Sequence, residues 1–206
     1  MEIYFEEAAL PLQHNIPRGH HTEDIESLAG VVGYRVSGGR EPPGTRWYNH
    51  MPAVAIREQV GREVWSNYFK FCAIRNPFDK AVSFWWHRMS EAGGAALRDA
   101  DFSLIRSAFC EWVCEDLRHL VDRGTYMIDG KVVMDDIIRY ETLSADIARI
   151  SSVLGLPAPS QALGRYKGEF RKNAAPFADY YDAAAAQAVR DVFGFELEYF
   201  GYQLTN

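Results

Sequence analysis

The sequence predicts an α/β fold built on a parallel sheet. A short, mostly apolar run at 68–74 has the character of a buried strand, and 134–140 is a second strand candidate. A helical pattern follows each of them, and strands that alternate with helices pack as a parallel sheet with helices on its faces. At 206 residues, 48% of them hydrophobic and 24% charged, the chain suits a single domain over 1–206 that buries a core without covalent staples.

Taken in order, residues 1–10 read as a helix stopped by Pro11. No Ser, Thr, Asp or Asn precedes it as a cap, so the chain reads as beginning inside an element. Residues 11–46 are loop-like, and only 28–36 offers a short apolar run. Pro52 suits the first position of a helix reaching about Val60. After the strand at 68–74, Arg75-Asn76-Pro77 opens a helix over 78–87 that is apolar on most sides and so predicted to be buried. A polar connection over 88–100 leads to an amphipathic helix at 102–121, and 124–131 turns. The strand at 134–140 precedes a helix at 143–154, ended by Gly155 and Pro157. Residues 158–178 form a loop with a basic cluster, and an Ala-rich helix over 182–193 is closed by Gly194.

The net charge of -6 argues against a nucleic-acid partner, which needs a broad basic stripe. No run approaches the ~18 apolar residues of a membrane span. Glu2, Glu6 and Glu7 are wrong for a signal peptide, so a cytoplasmic location is expected. The three cysteines, Cys72, Cys110 and Cys114, show no C-x-x-C spacing and suggest neither a disulfide framework nor a zinc site. Cys110 and Cys114 read as small apolar side chains of a helix in a reducing compartment. His14, His20 and His21, with Glu23 and Asp24, have no metal-ligand spacing, and no metal is expected. Trp85, Trp86 and Trp112 suit core packing better than sugar stacking. Glu41, Arg46 and Trp47 are candidates for lining an acceptor cleft.

Three constellations bear on chemistry. Arg75 leaves a buried strand at its carboxyl end, where α/β folds bind ligands, beside a helix start whose N–H groups favour an anion. Six residues separate Pro77 from Ser83, ~9 Å of helix rise, so an anion touching both Arg75 and Ser83 lies beside the first two turns and the arginine must reach it. The same residues also fit a strand-end arginine paired with a carboxylate and a serine bonded to its own helix backbone. His50 stands just before the helix opened by Pro52, where the helix dipole disfavours the imidazolium and keeps a neutral, proton-accepting ring. Arg165, Lys167, Arg171 and Lys172 place four cations within eight residues of an acidic chain.

Residues 71–83, Phe-Cys-Ala-Ile-Arg-Asn-Pro-Phe-Asp-Lys-Ala-Val-Ser, resemble the 3′-phosphate-binding signature of sulfotransferases that use 3′-phosphoadenosine-5′-phosphosulfate (PAPS). The likeness is strongest to the carbohydrate O-sulfotransferases, where a serine follows the arginine by eight positions. Residues 137–143, Ile-Ile-Arg-Tyr-Glu-Thr-Leu, resemble that family's later Arg-Tyr-Glu-x-Leu segment, and Tyr180-Tyr181-Asp182 and Phe200-Gly201-Tyr202 its closing helix. The resemblance runs from about Trp47 onward, and residues 1–10 look like the helix after the family's first strand.

The resemblance implies a P-loop-like parallel sheet flanked by helices and a PAPS-dependent transfer of a sulfuryl group to a hydroxyl, with carbohydrate the expected acceptor. It implies that Arg75 and Ser83 hold the 3′-phosphate, that Lys167 and Arg171 cover the same side of the adenosine, and that His50 takes the acceptor proton. Relatives of this kind begin with a strand and a Lys-Thr-x-x-Thr-Ser loop that wraps the 5′-phosphosulfate. This sequence has neither, which leaves the expectation of a longer natural protein. It also leaves an alternative from another class: a non-catalytic nucleotide-binding or protein-interaction module derived from the same fold.

Overall fold

The computed structural model describes residues 4–5, 24–27, 30–34, 43–91, 100–115, 117–156 and 175–205. They form a mixed α/β structure with a small parallel sheet. They divide into two compact units, one drawn from 1–73 and 122–163 and the other from 74–121 and 164–206. Among the described residues no helix is long and apolar enough to cross a membrane.

In the first unit, β1 (Ile25–Ser27) and β2 (Gly30–Val32) pair antiparallel, with Ile25 opposite Val32 and Ser27 opposite Gly30. Past β2, Tyr34 makes a parallel bridge to Tyr48: the Tyr34 N–H donates to the Trp47 carbonyl at 2.7 Å and the Asn49 N–H to the Tyr34 carbonyl at 2.9 Å. This approach is close enough to require Gly33, because a Cβ there would sit 3.0 Å from the Tyr48 nitrogen. Helix α1 (Ala53–Asn67) follows Pro52 as the sequence predicts. It leaves helical geometry at Gly61, one residue past the predicted end, and then resumes; that glycine's φ of 79° is open to it because it lacks a Cβ.

The two predicted strands are present as β3 (Phe71–Ile74) and β6 (Asp136–Arg139), and they are neighbours in one sheet. Their starts are locked together. The Asp135 and Asp136 N–H groups donate to the Lys70 carbonyl at 2.8 and 3.2 Å. The Lys70 N–H and ammonium both reach Asp135 Oδ2 at 2.7 Å. Between the strands, β4 (Met127–Ile128) and β5 (Lys131–Val132) form a hairpin where the sequence reading placed only a turn. Asp129 and Gly130 take φ of 51° and 74°, the pair of positive values that a two-residue Asp-Gly hairpin needs. Helix α4 (Leu143–Val153) then lays Ile147 and Ile150 on Ile138, with Phe69, Phe71 and Leu143 packed around them. Asp146 ties strand to helix: burial opposes its ionisation, but hydrogen bonds from the Arg139 N–H, Arg149 and Thr142 outweigh that and hold its carboxyl below its ordinary value.

The second unit is a helical core. Helix α2 (Pro77–Glu91) starts at the predicted proline and buries Phe78, Ala81, Val82, Trp85 and Trp86. Helix α3 (Phe102–Glu115) contributes Ile105, Phe109 and Val113. It stops short of the predicted Val121, and a separate 3-10 turn at Arg118–Leu120 buries Leu120 instead. Helix α5 (Ala183–Phe200) is capped by Asp182, which accepts from the Ala185 N–H at 2.8 Å. It does not close at Gly194 as the sequence suggests. The backbone deviates at Phe193, but the helix continues to Gly201, because Glu196 and Phe200 carry its buried face further. The ~1 kcal/mol cost of an interior glycine is smaller than the gain from burying one more large aromatic ring.

Asn76 has no exposed surface and joins the start of α2 to the end of the chain. Its Oδ1 accepts from the Phe78 N–H at 3.0 Å and its Nδ2 donates to the Gln203 carbonyl at 2.8 Å. The three thiols are not alike. Cys110 is buried and donates to the Tyr180 carbonyl, whereas Cys114, read as a second buried side chain, is exposed one turn further on. Burial first, and then the Asp122 carboxylate, push the Cys72 thiol up to about 12.

Two predictions follow from this packing. Asn76→Ala removes a helix cap and the bond to the Gln203 carbonyl, so denaturant unfolding should show a loss of about 1–2 kcal/mol. Alkylation near pH 8, followed by peptide mass spectrometry, should label Cys114 well before Cys72, since the reactive thiolate is suppressed at Cys72.

Candidate functional site

The start of α2 is a polar junction held by several hydrogen bonds. Asn76 caps it, and Pro77 places its fixed φ at the first helical position, where no N–H is missed. On the far side, the Tyr181 hydroxyl donates to the Phe78 carbonyl at 2.7 Å. Burial, with the Asp79 carboxylate and then Cys110 adding to it, raises that phenol well above its ordinary value, so it stays a donor. The Arg106 guanidinium holds the adjoining Tyr181 carbonyl at 2.7 Å. Tyr180 is fixed just as firmly, taking the Trp86 indole N–H on its hydroxyl at 3.1 Å.

Arg75 emerges at this junction directly after β3. Its Nε and Nη2 both reach Asp79 Oδ2, at 2.7 and 2.6 Å. The pair is partly sheltered, with 24% of the arginine side chain and 15% of the aspartate side chain exposed. Of the two arrangements the sequence allowed for Arg75, the carboxylate pair is the one observed. Ser83 is half-buried on α2. Asp79 and Ser83 are four residues apart, so they share a face of the helix and the carboxylate lies along the stripe that leads from Arg75 to Ser83.

Two further cations meet this end of α2. The Lys80 ammonium lies 5.8 Å from the Phe193 ring centroid, and the Arg190 guanidinium 5.9 Å from that of Phe78. Sequence reasoning missed Asp79 and Arg190 as parts of the site. The four-residue step from Arg75 to Asp79 was a signal available to it. Nothing in the Ala-rich stretch around Arg190 was, because that residue arrives only through the packing of α5 on α2.

The remaining predicted site residues fall elsewhere. His50 belongs to the first unit, exposed in the turn between the Tyr34–Tyr48 bridge and α1, with a left-handed φ of 60°. Lys167 and Arg171 lie outside the described residues, as do Glu41, His14, His20, His21 and Glu23. Arg46 pairs with Glu26 at 2.8 Å and stands 5.7 Å from the Trp47 ring centroid, while the Trp47 indole N–H donates to the same glutamate at 2.7 Å. Trp85 and Trp86 are core residues, as expected, and Trp112 stacks on Phe84 with His119 against both rings. Among the described residues no group of three or more His, Cys, Asp or Glu side chains could hold a metal ion.

The arrangement at α2 places a guanidinium and a hydroxyl near the helix start, beside one resident carboxylate, while the Phe78 and Lys80 N–H groups of the first turn are taken by Asn76. No family model matches the chain, and no solved structure matches it. A curated protein of Archaeoglobus fulgidus, described as an uncharacterized protein, is 32% identical over 111 residues, which make up 52% of this chain and 84% of the archaeal one. At that identity over most of its relative's length, the chain belongs to the same family as this archaeal protein.

Proposed function

We propose that the protein is a PAPS-dependent O-sulfotransferase whose acceptor is a hydroxyl, with carbohydrate the expected class. The observation that carries this reading is the placement of Arg75 at the end of a parallel strand and of Ser83 two turns into the helix that follows. A ribose 3′-phosphate is close to a dianion at neutral pH, and a forked guanidinium with a hydroxyl beside it suits such a group. The pair with Asp79 uses the Nε side of the guanidinium, and Nη1 is no part of it.

In this reading the acceptor oxygen attacks sulfur in line as the bond from sulfur to the bridging phosphate oxygen breaks. Adenosine 3′,5′-bisphosphate leaves, and the acceptor proton passes to His50. Lys167 and Arg171, which lie outside the described residues, are the further cations that this reading assigns to the 3′-phosphate. The chemistry is positioning and charge neutralisation, with cationic side chains in the role that metals fill elsewhere.

Calorimetric titration with adenosine 3′,5′-bisphosphate tests the cofactor site. Arg75→Ala should weaken binding by about tenfold to a hundredfold, as expected for the loss of a charge-assisted fork, and an unchanged affinity would remove Arg75 from the site. A sulfate-transfer assay tests the base: His50→Ala should abolish transfer and leave nucleotide affinity nearly intact, and an active variant would take His50 out of the mechanism. Nucleotide binding by the wild-type protein with no turnover on any acceptor would favour the non-catalytic module instead.

A further inference from the structure

We draw no further inference here: the strongest candidate, the aromatic surface cluster of Phe84, Trp112 and His119 that joins α2, α3 and the turn after α3, is a partly exposed face of stacked rings, and nothing in the structure shows what covers it.

Discussion

The side-chain amide of Asn76 connects two segments that stand 127 residues apart in the chain. It is fully removed from water, so each of its polar ends needs a partner, and each has one: the Phe78 N–H on the oxygen and the Gln203 carbonyl on the nitrogen. Losing either partner would leave a buried amide group unsatisfied, which costs more than the bond itself contributes. The start of α2 is therefore fixed relative to the chain's closing residues. The reading of Arg75 and Ser83 depends on that fixed start, because it sets where the helix begins relative to the arginine just before it.

The junction draws its rigidity from several directions within the second unit. Tyr181 reaches it from the segment before α5, and its own carbonyl is held by Arg106 of α3. Phe109 meets both Tyr180 and Tyr181 edge-to-face, at centroid distances of 5.6 and 5.0 Å. In these contacts the Trp86 indole and the Tyr180 and Tyr181 hydroxyls each meet a partner, which spares this part of the aromatic core the cost of stranded polar groups. The result is a polar edge on an aromatic core, the kind of support a binding group needs to stay in place. The first unit solves a parallel problem with charge: Lys70 and Asp135 set the register of β3 against β6 through backbone and side-chain bonds at once.

Two glycines show where local rules stop. Gly194 reads as a helix end, and the predicted end of α1 falls one residue before Gly61. At Gly61 the backbone turns to positive φ and the helix then resumes to Asn67. At Gly194 it remains helical, because Glu196 and Phe200 beyond it are buried in the same helix face. The difference lies in what surrounds each residue, not in the residue, since an isolated glycine lowers helix stability by only ~1 kcal/mol and packing can exceed that. The hairpin at Met127–Val132 was hidden for a related reason: strands of two residues carry too little alternation to register as a pattern, and only the Asp-Gly step marked the place.

By itself the sequence determined the alternation of strands and helices, the proline starts of α1 and α2, the two paired strands, the burial of Trp85 and Trp86, and the arginine and serine that flank the first turns of α2. All of these follow from short-range rules: periodicity, fixed proline torsions and the apolarity of the strand segments, although β3 is only half-buried and exposes Ala73. Only the tertiary structure decided that Arg75 shares its guanidinium with Asp79, that Arg190 comes to lie over Phe78, that Cys114 is exposed while Cys110 is not, and that His50 and Arg75 belong to different compact units. Those outcomes depend on which surfaces meet across long stretches of chain. A linear sequence records the groups available for such meetings, while packing selects which of them occur.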